Sequence, residues 1–317
     1  MPAIYAKAPG KIILFGEHAV VYGQPAIAIP VNKVYATARV FPDISAQKNE
    51  IHIKAPDIQF DAYLSDIPGQ HPFACAVHLT LKAVGLEQPP ASTLVISSTI
   101  PIASGMGSSA AITVAIMRAL SNYLGKPLPA EMISTLAFEV EKIQHGTPSG
   151  IDNYVIAHQK PVFFTHNQPI EHLSVEEPTY WIIADTGETT ATKETVADVR
   201  EQHAANPDKI DGIFKQIGQI TLKARPALIT GDLNLLGALM NENQRLLEQL
   251  TVSSRRLEDL IDAARIAGAV GAKLSGGGRG GNMLALAPSK DTETIATALR
   301  NAGAARVITT TLTKGGS

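Results

Sequence analysis

The chain has 317 residues and a mass of 33.6 kDa, and at roughly 150 residues per domain that length predicts two domains. With 45% hydrophobic and 18% charged residues it can bury a sizeable core, which excludes a disordered chain. A net charge of −2, from 27 Lys+Arg against 29 Asp+Glu, argues against a broad electrostatic grip on nucleic acid or an anionic membrane. The single cysteine, Cys75, excludes an internal disulfide and a cysteine zinc site, and reads as a small buried hydrophobe. No stretch approaches the ~20 apolar residues of a spanning helix, and Met1 to Lys7 lacks the pattern of a signal peptide. A cytoplasmic protein is expected.

In chain order, Ile12–Phe15 and Ala26–Val31 read as short strands flanking a glycine-bounded loop, Gly16 to Gly23. Val34–Phe41 alternates and reads as another strand. Residues 42–70 suggest short strands and loops. Helical spacing follows over Pro72–Val84, a strand over Leu94–Ser98, and helices over Ala110–Leu124 and Ala130–Gln144. Val155–Phe164 and Tyr180–Ala184 look like strands. Beyond them, Thr192–Ala204, Asp208–Arg225, Asp232–Leu250 and Ser254–Ala267 carry apolar residues at helical intervals. A glycine cluster, a strand (283–287), a helix (291–302) and a last strand (305–312) complete the pattern, with a frayed tail from Lys314. This order predicts an α+β protein, with domains over 1–170 and 171–317.

The strongest local signal is Ser104-Gly105-Met106-Gly107-Ser108-Ser109, which follows a strand and opens a helix. Glycines allow close backbone approach, and a helix start offers unpaired N–H groups and the positive end of its dipole. Together they form an anion site, most often for phosphate. The alternative is a tight turn with serine N-caps. No lysine follows the last glycine, so the loop is not a Walker A motif. A second cluster, Gly276-Gly277-Gly278-Arg279-Gly280-Gly281, leads into a strand, which rules out a dinucleotide loop there. So much glycine is entropically costly, which points to close contact with a ligand or another loop.

Glu141 ends a helix that breaks at Gly146 and Pro148, and Asp152 starts the next element. Such a turn can bring the two carboxylates to one side, one to ligate Mg²⁺ and the other to orient or deprotonate a hydroxyl. The alternative is a solvated Glu141 and an Asp152 N-cap. Lys11 heads a strand after a Pro-Gly turn, and Glu17-His18 sits in the first glycine-bounded loop; taken alone, a lysine or a histidine in such a place is more often without a functional role than part of a site.

These segments, in this order, resemble the galactokinase, homoserine, mevalonate and phosphomevalonate kinase superfamily. The carrying motifs are Ala8-Pro9-Gly10-Lys11 through Gly16-Glu17-His18 to Gly23, Gly105 to Ala111, His145 to Asn153, Asp185-Thr186-Gly187 through Thr192-Lys193-Glu194, and Ala272 to Gly281. Within the superfamily the match to the mevalonate kinases is close. The resemblance implies two α+β domains with the active site in a cleft, ATP and Mg²⁺ as cofactors, and transfer of phosphate to the 5-hydroxyl of mevalonate. It implies that Ser104, Gly105, Met106, Gly107, Ser108 and Ser109 wrap the ATP phosphates, that Ser109 and Glu141 ligate Mg²⁺, and that Asp152 is the catalytic aspartate with Lys11 as its neighbour. Glu17, His18 and Thr192 match positions of mevalonate recognition, and Gly276, Gly277, Gly278 and Gly280 form the third loop. A homodimer is also implied. One departure stands out. The family's third loop usually reads Gly-Ala-Gly-Gly-Gly-Gly-Cys, whereas here Arg279 occupies a glycine position and Asn282 replaces the thiol. A phosphate, a substrate carboxylate and solvent are the open destinations for Arg279. Rival readings are a superfamily kinase for another alcohol or a phosphorylated mevalonate, a non-catalytic ligand sensor, and an NAD-dependent oxidoreductase.

Overall fold

The computed structural model describes residues 3–43, 49–101, 104–145, 148–166, 168–188 and 192–314, the side chains of residues 144, 145, 192 and 193 excepted. The chain forms β1 (Ile4–Phe15), β2 (Ala26–Pro42), β3 (Ile51–Ala55), β4 (Phe60–Tyr63), α1 (Pro72–Ala83), β5 (Ser92–Ser98), α2 (Ser108–Tyr123), α3 (Ala130–His145) and α4 (Ile151–His158). It continues with β6 (Val162–Phe164), β7 (Glu171–His172), β8 (Thr179–Asp185), α5 (Thr192–Ala205), α6 (Pro207–Thr230), α7 (Leu233–Gln249), α8 (Arg255–Ile266), β9 (Gly271–Ser275), β10 (Asn282–Ala287), α9 (Glu293–Asn301) and β11 (Arg306–Leu312). The fold is α+β, and no helix of the described residues is long and apolar enough to cross a membrane.

The chain divides into two compact units and passes between them several times. The first comprises Met1–Gly10, Val34–Pro101 and Gly107–Gln159; the second comprises Lys11–Lys33, Ile102–Met106 and Lys160–Ser317. In the first unit, β2 from Ala36 to Pro42 pairs antiparallel with β5, β5 pairs parallel with β3, and β3 pairs antiparallel with β4. Helices α1 to α4 pack on one another, and α2 also packs on β5. Helix α2 is buried along Ala110, Ala111, Val114, Ile116, Met117 and Leu120, so the run that reads as a strong helix is the centre of this layer.

In the second unit the strand order is β11-β8-β10-β9, and every pairing is antiparallel. Strand β10 is buried at all six positions, so both faces are covered and the usual inside-outside alternation is lost. Helices α7 and α8 pack against β9, and α9 against β11. The helix starts follow side-chain chemistry. Asn206 accepts from the Lys209 amide (3.4 Å), Asp232 from Leu235 (3.0 Å) and Ser254 from Leu257 (3.3 Å), each as an N-cap.

Two strand expectations change. The runs Ala26–Val31 and Val34–Phe41 form one 17-residue strand, β2, because Pro30 is accommodated without breaking it. The predicted strand Val155–Phe164 is instead the end of α4 followed by the short β6. Buried Val155 and Ile156 look alike in a core strand and a core helix. The helix is selected by Gly150, whose φ of 86° leads into it, and by Tyr154 stacking on His158 one turn later at 4.1 Å between ring centroids.

Close packing between α7 and β9 depends on paired glycines. A Cβ on Gly237 would lie 2.4 Å from the Val270 carbonyl oxygen. Gly237→Ala is therefore expected to destabilise the protein by about 1–3 kcal/mol through overpacking, read as a lower denaturation midpoint at unchanged m-value. An unchanged midpoint would contradict this helix–strand contact.

Candidate active site

In the first unit, Gly107 adopts φ 71° and is the N-cap of α2, with no side chain to offer. Ser108 and Ser109 are therefore the first two helical residues, not caps, which removes the serine-cap alternative. The opening N–H groups of α2 have no side-chain cap, and the helix dipole favours negative charge at this end. Ser109 donates its hydroxyl to Glu141 Oε1 at 2.6 Å, so the residue on α2 and the one on α3 form a paired oxygen donor set. Glu141 is only 5% exposed, which excludes the solvated-helix alternative. Oxygen donors of this kind suit Mg²⁺, which takes few protein ligands and completes its shell with water and phosphate oxygens.

Asp152 lies in the first turn of α4 and is half-buried. Its neighbour Asn153 is buried and donates to the Ser134 carbonyl (2.9 Å) and hydroxyl (3.0 Å), which fastens the start of α4 to α3. The aspartate is thus carried on a helix end that is itself pinned.

In the second unit, Lys11 is buried in β1, and its backbone N–H donates to the Met106 carbonyl at 3.0 Å. This bond ties the Ser104–Met106 stretch to the lysine's strand. Gly105 takes φ 73°, with open space where a Cβ would be, while Ser104 and Met106 are buried. Asn282, at the start of β10, donates to the Ser104 carbonyl at 2.5 Å, a bond that the family's cysteine could not make in the same way.

Glu17 and His18 follow Gly16. Glu17 is 1% exposed and forms an ion pair with Lys273 Nζ of β9, which is fully buried and also donates to the Leu274 carbonyl at 2.6 Å. Burial pushes the Lys273 ammonium down from its ordinary value, and the Glu17 charge opposes that shift. Among the described residues, Glu17 Oε2 has no hydrogen-bond partner. A carboxylate oxygen buried this way is costly unless something donates to it.

His18 is buried with φ 60°, a left-handed conformation uncommon for a non-glycine residue. Its Nε2 lies 3.1 Å from the Gly277 carbonyl oxygen. A carbonyl only accepts, so Nε2 carries the proton and Nδ1 holds the lone pair. Burial, partly opposed by the Gly277 bond, lowers the His18 pKa to about 4, so the ring is neutral near pH 7.

The third loop links β9 to β10. Ser275, just before it, donates its hydroxyl to the Ile13 carbonyl at 2.7 Å, and the Thr186 backbone N–H donates to the Gly281 carbonyl at 2.9 Å. Gly276, Gly278, Gly280 and Gly281 all have positive φ, and a Cβ on Gly278 would stand 2.0 Å from the Val252 carbonyl oxygen. Arg279 has partners within the protein and keeps part of its side chain, 32% exposed, in solvent. It forms an ion pair with Asp198 of α5 and donates to the Thr251 carbonyl at 3.0 Å. Thr192 opens α5, but its side chain lies outside the described residues.

Sequence reasoning assigned no role to Lys273, Asn153 or Asp198. Lys273 did carry a signal: a charged residue inside the strand run Ala272-Lys273-Leu274 must be paired when that strand is buried.

Comparison with known proteins bears on the chain as a whole. Residues 72–160 match the GHMP kinases N terminal domain, and residues 224–305 match the GHMP kinases C terminal model. A mevalonate kinase of Pyrococcus abyssi is 39% identical, over 96% of this chain and 95% of the relative. One from Pyrococcus furiosus is 36% identical over the same shares, 96% and 95%. The crystal structure of the Methanococcus jannaschii mevalonate kinase superposes with a TM-score of 0.83 at 26% identity, covering 97% of this chain and 98% of that one. The L. major mevalonate kinase in complex with R-mevalonate gives 0.82 at 29% identity, covering 99% and 97%. The chain therefore belongs to the GHMP kinase family, among relatives that are mevalonate kinases.

Proposed function

We propose that the chain phosphorylates the 5-hydroxyl of mevalonate with ATP, using the residues described above. The observation that carries the residue assignment is the Ser109–Glu141 pair at the uncapped start of α2, which joins a metal-type donor set to an anion-binding helix end. Phosphoryl transfer requires charge neutralisation and alignment more than covalent chemistry. The backbone from Ser104 to Ser109 and the α2 N-terminus receive the ATP phosphates. Ser109 and Glu141 are the residues that would hold Mg²⁺, which would offset part of the phosphate charge. Asp152 takes or orients the proton of the acceptor hydroxyl, and Lys11 supplies positive charge to the phosphoryl group in flight. Both functions require the two residues to serve the same bound substrates.

Acceptor recognition falls to Glu17, His18 and Thr192. Mevalonate offers a carboxylate and hydroxyl groups. Neutral His18 presents the Nδ1 lone pair to a hydroxyl donor, and Glu17 Oε2 is a second acceptor. A phosphorylated acceptor is less well supported, because the one extra cation that suggested it, Arg279, is paired with Asp198. The family likeness also leads us to assign a homodimer, and the composition a cytoplasmic setting, to be tested by light scattering and by fractionation.

Asp152→Asn is expected to keep the fold and to lower kcat by about 10²–10⁴-fold, the usual worth of general-base help. Near-normal turnover would remove Asp152 from the reaction. Ser109→Ala and Glu141→Gln should each raise the Mg²⁺ concentration for half-maximal rate at saturating ATP; an unchanged titration would contradict their ligand role. Lys273→Met strands the buried Glu17 charge, and loss of one partner of a buried pair costs about 3–5 kcal/mol. Chemical denaturation should show that loss, and Glu17→Leu added to Lys273→Met should recover part of it. A Lys273→Met protein as stable as the parent would show that the pair is not held in solution.

A further inference from the structure

Arg279 is the residue of the third glycine loop for which the family likeness offers no role, and its surroundings are specific. It adopts φ 55°, a region where an arginine is strained and a glycine is not. Four bonds offset that strain. Its backbone N–H donates to the Val252 carbonyl at 2.6 Å, and Nε donates to the Thr251 carbonyl at 3.0 Å. Nη2 lies 3.4 Å from Thr251 Oγ1, and Nη1 forms the ion pair with Asp198. Thr251 is itself left-handed, at φ 57°. Helix α5 reaches the same turn independently, since Gln202 donates to the Leu250 carbonyl and to Thr251 Oγ1, both at 3.1 Å. The α7–α8 turn, α5 and the glycine loop thus form one hydrogen-bonded network with Arg279 at its centre. Two residues before Arg279, Gly277 presents the carbonyl that accepts from His18 Nε2.

We propose that Arg279 is a positioning residue for acceptor recognition: by fastening the third glycine loop to Asp198 and Thr251, it holds the Gly277 carbonyl in place and thereby fixes the tautomer and orientation of His18. The inference rests on the reading of His18 as an acceptor-binding residue. A glycine at 279 would satisfy the backbone but leave this loop, with glycines at 276–278 and 280–281, without a side chain of its own to tether it to α5 and the α7–α8 turn. The Asp198 and Arg279 side chains are 44% and 32% exposed, so their charge attraction alone is weak, and the planar fork shared between Asp198 and Thr251 is what makes the tether directional. The consequence is an effect on the acceptor, not on the nucleotide.

The test uses the full chain labelled with ¹⁵N-histidine, with His18 assigned from the spectrum of His18→Gln. The parent protein should show a neutral ring protonated at Nε2. Arg279→Ala should give a mixed or exchange-broadened tautomer, and Asp198→Asn the same change in smaller measure. In parallel, Arg279→Ala should raise KM for mevalonate by about 3- to 10-fold, the worth of one or two hydrogen bonds, with kcat and KM for ATP within about 2-fold of the parent, a split that a general loosening of the fold would not produce. Arg279→Lys, which keeps the charge but not the fork, should not restore the parent spectrum. The double variant Arg279→Ala/Asp198→Asn should be no worse than Arg279→Ala, since coupled partners are not additive. An unchanged His18 spectrum in Arg279→Ala, or an equal rise in both KM values, overturns the inference. If Arg279→Ala does not fold, Asp198→Asn alone decides on the same two readouts. Should the spectrum change while His18→Ala leaves the mevalonate KM untouched, the acceptor role of His18 fails and the positioning role of Arg279 stands.

Discussion

A carboxylate removed from water must be given a donor, and this constraint acts in each of the two units. Glu141 and Glu17 are 5% and 1% exposed, and each meets a specific partner: the hydroxyl of Ser109 in one unit and the ammonium of Lys273 in the other. Neither pairing is the cheapest way to fill a core, since apolar residues of similar volume often do as well or better. Charges kept under those conditions are explained more readily by chemistry than by stability. Glu141 keeps an anion beside the positive end of α2, where a cation bound to phosphate would sit. Glu17 keeps a carboxylate oxygen that has no partner among the described residues, next in sequence to a neutral histidine.

The rest of each unit holds these groups still. Asn153 fastens the start of α4, so Asp152 is not on a loose loop. The Lys11–Met106 backbone bond and the Asn282–Ser104 bond fasten the first glycine stretch to β1 and β10. Glycine supplies left-handed turns and close approach, and polar side chains then remove the freedom that glycine brings. The second step is necessary because a transition state is stabilised by groups already in position, not by groups that must be ordered during the reaction.

Much of this was legible in the residue order. Ser109 and Glu141 can be named together only through the family resemblance, since the local pattern points to Glu141 with Asp152 instead; the two lie 2.6 Å apart. The long helices of the second half announced themselves through apolar residues at helical spacing, and the structure adds Asp232 and Ser254 as N-caps of two of them. What could not be read was whatever depends on contacts distant in sequence. Val155 and Ile156 have the same composition in a strand as in a buried helix, and only the turn at Gly150 and the packing on α3 decide between them. Arg279 meets Asp198, 81 residues earlier, and nothing local to either residue foretells the pair. Lys273 and Glu17 are 256 residues apart, and although a lysine inside a strand run calls for a partner, nothing local says that the partner is Glu17.

The central claim is that residues distributed along the whole chain act on one nucleotide and one acceptor. A crystal structure of this protein with a non-hydrolysable ATP analogue, Mg²⁺ and mevalonate tests it most directly. The expected result is a triphosphate against Ser104–Ser109, a cation on Ser109 and Glu141, and the mevalonate 5-hydroxyl within hydrogen-bond reach of Asp152 with Lys11 beside the γ-phosphate. A triphosphate bound elsewhere, or an acceptor hydroxyl remote from both Asp152 and Lys11, would contradict it.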